Sequence, residues 1–229
     1  MKVLFEDNHL IAVSKPQGVL SQGDETGDRS IIDDVKAYLK KKYNKPGDVF
    51  LGSIHRLDRV TSGVIIFART SKALTRMNQL MKDRKISKSY IAILDVRPDK
   101  PPGKLTHYLR KNHKANYVVV TDKQKPETKK AVLEFEMLAN IQKTCLIKVK
   151  LETGRPHQIR AQFSHIGSPI CGDTKYNGSI QDSYKRGIFL HSYALEFIHP
   201  VKKEKVRITS SPENTSKWKE YREFIADLS

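Results

Sequence analysis

An aspartate between two arginines is the most distinctive chemical feature of this sequence. Asp58 lies in the segment His55-Arg56-Leu57-Asp58-Arg59-Val60-Thr61-Ser62-Gly63, directly before an apolar run that begins at Val64. A carboxylate placed in this way can act as a nucleophile or as a base towards a sugar or a nucleobase. The structural alternative, which composition alone favours, is that Asp58 caps a turn or pairs with an arginine to fix the loop.

A second polar cluster occurs at Thr153-Gly154-Arg155-Pro156-His157-Gln158-Ile159-Arg160. It joins a predicted strand to a predicted helix, so backbone N–H groups and side-chain donors are presented at one place. Arg160 falls within the first turns of that helix and could reach an aspartate from elsewhere in the fold. The alternative is an ordinary helix start with a solvated arginine, and this segment alone does not decide between the two.

The spacing of apolar residues predicts the elements that must position these side chains. Ser30 precedes an apolar stripe with i, i+4, i+8 spacing, which predicts a capped helix to about Tyr43, and Ser71 is predicted to cap a second helix. A third helix is predicted to begin near Pro156, whose missing N–H suits a first helical turn. Apolar runs predict strands over 3–6, 10–14, 64–68, 90–96, 105–109, 117–120, 131–137, 145–151, 189–198 and 206–209.

This order of elements predicts an α+β fold. We expect a single domain over residues 1–229, with a large curved, mixed but mainly antiparallel sheet, helices packed on it, and an active-site cleft across the sheet. An apolar stripe from Trp218 to Leu228 predicts a C-terminal helix over about 212–228. No internal repeat or linker interrupts the chain.

The charge of the chain indicates a polyanionic partner. Its 229 residues include 42 Lys and Arg against 25 Asp and Glu, a formal net charge of +17. Residues 72–114 hold 12 Lys and Arg against 3 Asp and Glu, and such clustering is typical of contacts with nucleic-acid phosphates. The alternative is a solvated surface that keeps the protein soluble. Because no membrane span or secretory signal is visible, we expect a cytoplasmic protein that binds no membrane.

The sequence contains no recognisable metal or cofactor motif. Cys145 and Cys171 lack CxxC spacing and are expected to be packing thiols. The eight histidines form no HExxH pair and join no cysteine cluster. Gly23 and Gly27 are not followed by the Gly-Lys-Ser/Thr of a P-loop. The sequence therefore predicts no metal and no cofactor.

Taken together, the motifs resemble those of the RluA family of RNA pseudouridine synthases. The resembling segments, in chain order, are Lys15-Pro16-Gln17-Gly18, His55-Arg56-Leu57-Asp58 with Thr61-Ser62-Gly63, Lys88 with Tyr90, Gly154-Arg155-Pro156-His157-Gln158-Ile159-Arg160, Gly172-Asp173, and Leu190-His191 with Phe197, His199 and Pro200. They extend over about residues 9–212. The resemblance implies a catalytic domain that isomerises uridines of structured RNA, ribosomal RNA or tRNA, to pseudouridine.

The resemblance also implies roles for five residues. Asp58 matches the catalytic aspartate, at which the uracil is detached from C1′, turned and rejoined through C5. Arg160 matches the arginine that ion-pairs with this aspartate, and Tyr90 matches the aromatic residue that stacks on the uracil. Arg56 resembles an arginine that fills the space left by the flipped nucleotide, and Leu190 lies in the segment that lines the pocket. The first step, whether attack on the sugar, attack on the base or proton removal leading to a glycal, stays open.

Two other functions compete with an isomerase. A catalytically silent RNA-binding protein on the same scaffold would be marked by loss of Asp58 or Arg160, and both are present. A hydrolase usually needs two carboxylates across the bond or an acidic cluster for a metal, and Asp58 has no acidic partner in its motif.

The resemblance begins close to the first residue of the sequence. Because only about eight residues precede it, no separate N-terminal RNA-binding module is expected, and residues 72–114 become the candidate RNA surface. All the proposed site residues lie in one chain. We therefore expect a monomer that requires no protein partner.

Overall fold

The computed structural model describes residues 1–99, 101–180, 187–214 and 216–228. Within these residues eleven strands belong to one sheet and are accompanied by four α-helices, which confirms the predicted α+β class. The chain divides into two compact units, Met1–Ser87 with Ser192–Ser211 and Lys88–His191 with Pro212–Ser229. The single-domain organisation stays a prediction. Among the described helices, none is long and apolar enough to cross a membrane.

The first unit is built on strands from both ends of its sequence. Its strands are β1 (Lys2–Glu6), β2 (Leu10–Lys15), β3 (Gly52–Ser53), β4 (Ser62–Ala68), most of β10 (Leu190–Ile198) and β11 (Lys205–Thr209). Strand β2 pairs antiparallel with both β1 and β4, β3 pairs with β4, and β11 pairs with β10. Every residue of β4 is buried, which explains its continuous apolar sequence.

Two helices pack in the first unit, α1 (Ile31–Lys42) and α2 (Ser71–Lys82). The Ser30 N–H and hydroxyl both donate to Asp33 Oδ2, at 3.1 and 2.7 Å, which confirms the predicted start of α1. Helix α2 is capped one residue earlier than predicted. Its cap is Thr70, whose Oγ1 accepts from the Ala73 N–H at 3.2 Å, and Ser71 becomes the first helical residue.

The second unit is an antiparallel sheet covered by a short helix. Its strands are β5 (Ser87–Leu94), β6 (Gly103–Asn112), β7 (Tyr117–Thr121), β8 (Lys129–Ile141) and β9 (Thr144–Leu151), in the order β5-β9-β8-β6-β7. Helix α3 (Gln158–His165) packs against β6 and β7. A buried cluster joins them, made of Leu109, Val118, Ala131, Ala161 and Tyr176.

The C-terminal segment differs from the predicted single helix. A 3-10 helix at Ser216–Lys219 is followed by α4 (Arg222–Ala226). Trp218 and Tyr221 are buried and lie three residues apart, a spacing that suits the three residues per turn of a 3-10 helix. Ile225 is buried in α4, whereas Phe224 is exposed. The apolar stripe is therefore divided between two short elements.

Both cysteines are free and buried, as predicted. Burial raises the pKa of the Cys145 thiol to about 11. The Cys171 thiol donates to Asp95 Oδ1 at 2.9 Å, and its pKa is raised by burial and by that carboxylate. Thiols with raised pKa values are poor nucleophiles, which agrees with a packing role.

Candidate active-site residues

The loop that carries Asp58 connects β3 to β4 and is held from both sides. Within the loop, the Thr61 N–H donates to the Asp58 carbonyl at 3.0 Å, which closes a turn. Just before Asp58 in the chain, the Ser21 hydroxyl donates to the Leu57 carbonyl at 2.7 Å and accepts from the Leu57 N–H at 3.0 Å. The Gly18 N–H donates to the Arg59 carbonyl at 2.8 Å. The backbone around Asp58 is thus fixed, while its side chain is only partly buried.

A buried lysine supports the same loop. Lys15 is the last residue of β2 and is fully buried. Its Nζ donates to the carbonyl oxygens of Pro16 at 3.0 Å, Val19 at 2.8 Å and Arg59 at 3.3 Å. Burial lowers the pKa of Lys15 to about 7, although the Asp58 carboxylate raises it, and the Arg59 guanidinium lowers it further.

In the sequence, Lys15 is only the first residue of the motif Lys15-Pro16-Gln17-Gly18, and the motif predicts no role for it. A lysine that ends a strand of buried apolar residues is the signal that could have identified it, because lysine is almost never fully buried without partners. Pro16 and Val19 lie within four residues of Lys15, but Arg59 comes from the separate Asp58 loop, and no spacing in the sequence pairs it with Lys15.

The two arginines beside Asp58 are in different environments. Arg59 forms an exposed ion pair with Asp28 at 2.8 Å, and its Nε donates to the Gly18 carbonyl at 3.0 Å. Arg56 is exposed and forms no ion pair within the described part of the chain. Arg59 therefore holds the loop, whereas the charge of Arg56 is available to a ligand.

In the second unit, Gln158 organises the loop that leads into α3. Its Oε1 accepts from the Thr153 hydroxyl at 2.8 Å and from the Arg155 N–H at 3.0 Å, and its Nε2 donates to the Val132 carbonyl at 3.1 Å. The N-cap, His157, adopts a left-handed conformation with φ of 49°. The helix consequently begins at Gln158, two residues after the predicted start near Pro156.

Arg160 is buried in α3, so the alternative of a solvated helix-start arginine is wrong. Its Nε and one terminal nitrogen donate to the two carboxylate oxygens of Asp173, at 2.7 and 2.9 Å. The guanidinium carbon lies 5.0 Å from the ring centre of Tyr176. Such a bidentate pair fixes the plane of the guanidinium. The ion pair between Arg160 and Asp58 that the resemblance implies stays a prediction.

Tyr176 connects the Arg160 pair to the rest of the second unit. Its hydroxyl accepts from the Val118 N–H at 2.9 Å and lies 2.7 Å from Nδ1 of His157, and its ring stacks on Tyr117 at 4.7 Å. Burial raises the pKa of Tyr176 to about 12, so its phenol is neutral at physiological pH. The environment of Arg160 is therefore assembled from residues far apart in the sequence.

Tyr90 and Leu190 lie on neighbouring strands of the sheet, β5 and β10. Both are buried, at 7% and 4% exposure. The Ile93 N–H donates to the carbonyl of Phe189, which brings the start of β10 alongside β5. Lys88, two residues before Tyr90, is largely buried, and burial lowers its pKa. A Cβ added at Gly154 would lie 3.0 Å from Lys88 Nζ, so the loop before α3 passes close to β5.

The predicted site residues therefore fall into two groups. Arg56 and Asp58 share one loop of the first unit, and Lys15, at the end of β2, supports that loop. Tyr90, Arg160 and Leu190 belong to the second unit, on β5, α3 and β10.

Comparisons with known proteins agree on one family. Residues 9–165 match the family model described as RNA pseudouridylate synthase. The chain is 34% identical over 201 residues to the ribosomal large subunit pseudouridine synthase D of Borreliella burgdorferi, covering 85% of this chain and 60% of that protein. It is 30% identical over 215 residues to the ribosomal large subunit pseudouridine synthase C of Buchnera aphidicola, covering 91% of this chain and 66% of that protein. The chain thus spans slightly less than two thirds of the length of these relatives.

Solved structures show the same fold. Human RNA Pseudouridylate Synthase Domain Containing 4 superposes with a TM-score of 0.79 at 20% sequence identity, covering 98% of this chain and 93% of that one. Human RNA Pseudouridylate Synthase Domain Containing 1 gives a TM-score of 0.71, also at 20% identity.

Proposed function

The chain belongs to the RNA pseudouridylate synthase family, and from this premise we propose that it isomerises uridine to pseudouridine in structured RNA, either ribosomal RNA or tRNA. The observation that carries this proposal is the Asp58 loop, in which a partly exposed carboxylate lies on a rigid backbone beside the buried amine of Lys15. The names of the bacterial relatives, which refer to the large ribosomal subunit, support ribosomal RNA as the first substrate to test.

In this proposal Asp58 is the catalytic carboxylate. The glycosidic bond between N1 and C1′ breaks, a bond between C5 and C1′ forms, and the proton on C5 is lost while N1 gains one. The reaction rearranges the atoms of a single nucleotide, so its balance requires no redox cofactor. A fixed backbone favours this role because productive geometry must be held to within about half an ångström.

Access to the glycosidic bond requires that the uridine leave its stack. Unstacking costs a few kcal/mol, and stacking of the base on an aromatic side chain such as Tyr90 returns roughly 1–3 kcal/mol. Arg56 is proposed to fill the space that the nucleotide leaves, because its guanidinium is exposed and forms no ion pair among the residues that the structure describes. Arg160, which is oriented by Asp173, and Leu190 are the further residues proposed to contact the substrate.

The candidate RNA surface includes the end of α2. Ala73 and Met77 bury one face of this helix, so its polar face is turned to solvent. Lys82, Arg84 and Lys85 are exposed at its C-terminal end and form no ion pairs among the described residues. Unpaired cations suit phosphate contacts, because no carboxylate has to be displaced before RNA binds.

Release of tritium from RNA labelled at C5 of uridine tests the proposal. RNA from cells that lack the protein is incubated with the wild type, with Asp58→Asn and with Asp48→Asn, which removes an exposed carboxylate elsewhere in the first unit. We expect release by the wild type and by Asp48→Asn, and none above background by Asp58→Asn. RNA binding without release by the wild type would instead favour the catalytically silent alternative, and equal release by Asp58→Asn would refute the role of Asp58.

A further inference from the structure

Two histidines and an aspartate from separate elements meet at one edge of the second unit. His107 lies on β6, Asp122 follows β7 directly, and His165 is the last residue of α3. One nitrogen or oxygen atom from each residue lies within 4.8 Å of the others. None of the roles proposed above uses these residues.

The two distances from the Asp122 carboxylate oxygen to the histidine nitrogens are close to those of ligands around a small metal ion. Asp122 Oδ1 lies 2.8 Å from Nε2 of His165 and 3.7 Å from Nε2 of His107. Ligands bound tetrahedrally at about 2.0–2.1 Å from zinc are ~3.3 Å apart, between these two values. The Asp122 side chain is 77% exposed, so a small rotation suffices to equalise the two distances.

A hydrogen bond between His165 and Asp122 would explain only part of this arrangement. The Nε2 atom of His107 faces the same carboxylate oxygen, but 3.7 Å is too long for a hydrogen bond. The two imidazole rings are 5.0 Å apart and lie edge to face. The Nε2 atoms of both histidines therefore lie near Asp122 Oδ1, but only that of His165 is within hydrogen-bond distance of it. A metal ion bound by all three groups would account for this arrangement.

A buried glutamine can fix the ring of His107. Gln162 is fully buried in α3, and its Nε2 lies 3.0 Å from Nδ1 of His107. A metal-binding Nε2 requires a proton on Nδ1, and the amide can accept a hydrogen bond from this N–H when it presents Oε1 instead of Nε2. Oε1 has no hydrogen-bond partner within the described residues, and the bond that the rotation gives up is the 3.4 Å contact from Nε2 to the Ala131 carbonyl oxygen.

We propose that His107, Asp122 and His165 bind a divalent transition-metal ion such as Zn²⁺. Two imidazole nitrogens and one carboxylate oxygen favour Zn²⁺, Ni²⁺ or Cu²⁺ over Mg²⁺ and Ca²⁺, which prefer oxygen ligands. The exposed side of the cluster leaves a fourth position for water. Bound there, the ion links the end of α3 to β6 and β7 and so stabilises the helix that carries Arg160. This site does not depend on the proposed RNA chemistry.

Calorimetric titration with Zn²⁺ tests the site in the full chain, prepared without a polyhistidine tag. The variants are His165→Gln and Asp122→Asn, and the control is His113→Gln, which changes an exposed histidine between β6 and β7. We expect one Zn²⁺ per chain for the wild type and for the control, with affinity at least 10-fold lower in each of the two variants. A parallel titration with Mg²⁺ is expected to give no binding at the same concentrations.

Two further measurements distinguish loss of zinc binding from loss of folding and identify the type of ligand atom. Unfolding midpoints in the presence of EDTA establish that both variants are folded, and added Zn²⁺ is expected to raise the midpoint of the wild type but not of His165→Gln. Substitution by Co²⁺ is expected to give the absorption bands of nitrogen and oxygen ligands without a thiolate band. Absence of Zn²⁺ binding, or equal affinity in the wild type and both variants, would overturn the proposal.

Discussion

The buried amine of Lys15 makes the stability of this protein depend on pH in a predictable direction. Burial lowers its pKa to about 7, whereas the ordinary value is 10.5. Between these two pH values the unfolded chain holds a proton on Lys15 that the folded chain does not hold. Stability therefore rises with pH across this window, because it rises wherever the unfolded state binds more protons.

The magnitude follows from the same two values. At most ~1.4 kcal/mol of unfolding free energy is gained for each pH unit within the window, or ~5 kcal/mol over its full width. Between pH 7.5 and 9.5 the expected gain is ~2.5 kcal/mol. Above pH 10.5 both states are neutral at this position, and below pH 7 both are charged, so the contribution becomes constant in each limit.

Lys15→Met isolates this contribution because the other titrating groups are common to the variant and the wild type. Urea unfolding followed by circular dichroism at pH 7.5, 8.5 and 9.5 gives the free-energy difference between the two proteins. We expect wild-type stability relative to Lys15→Met to increase by ~2.5 kcal/mol from pH 7.5 to 9.5. The control is Lys40→Met, which removes an exposed lysine of α1, and its difference from the wild type is expected to be independent of pH.

One result would refute this reasoning directly. If the difference between the wild type and Lys15→Met is flat from pH 7.5 to 9.5, Lys15 is charged throughout this range. The three carbonyl oxygens and the Asp58 carboxylate would then outweigh the cost of burying the ammonium, and Lys15 would be a permanent cation beside Asp58.

Three further predictions test the fold and the RNA surface. Gly63→Ala is expected to lower the free energy of unfolding in urea by at least ~3 kcal/mol, because Gly63 has φ of 114° and the new Cβ would lie 2.2 Å from the Ser192 carbonyl oxygen. The control is Gly47→Ala, whose Cβ meets no atom within 4 Å and which should be nearly neutral. Asp173→Asn is expected to cost ~2–4 kcal/mol in the same assay because it removes the charge that Arg160 pairs with, and an unchanged midpoint would contradict this. Replacing the three cations at the end of α2 by glutamine should weaken RNA binding and make the slope of log affinity against log salt concentration shallower by ~2–3. These cations are Lys82, Arg84 and Lys85. The control, which should change neither quantity, replaces three exposed lysines of α1, namely Lys36, Lys40 and Lys41.

Local signals in the sequence were sufficient to predict most elements of the fold. The α1 helix is set by a capping residue and an apolar stripe within one stretch of chain, so its start and its buried face could be predicted. The cap of α2 was misplaced by one residue because Thr70 and Ser71 are both good capping residues, and only the tertiary position of the helix selects one of them. The C-terminal helix was overextended because an apolar stripe does not distinguish one long helix from two short elements.

The candidate site was predictable to the extent that its motifs are local. Asp58 and Arg56 stand out because an acid between cations is visible within a few residues. The contact of the Lys15 amine with the Arg59 carbonyl and the pairing of Arg160 with Asp173 join separate segments, and spacing along the chain does not encode them. The cluster of His107, Asp122 and His165 is even less predictable from the sequence, because its members come from a strand, a loop and a helix and match no metal-binding motif.

The three cations near Asp58, namely Lys15, Arg56 and Arg59, have different contacts and therefore different roles. In the sequence, Arg56 and Arg59 flank the aspartate symmetrically, and both could have neutralised it. Arg59 instead joins the loop to Asp28 and Gly18, and Lys15 fixes the backbone from inside the protein with its charge reduced by burial. Arg56 is therefore the one of these three whose charge is both exposed and uncommitted among the described residues. In the proposed function, the exposed charge of Arg56 attracts the RNA backbone that the neighbouring Asp58 carboxylate would otherwise repel.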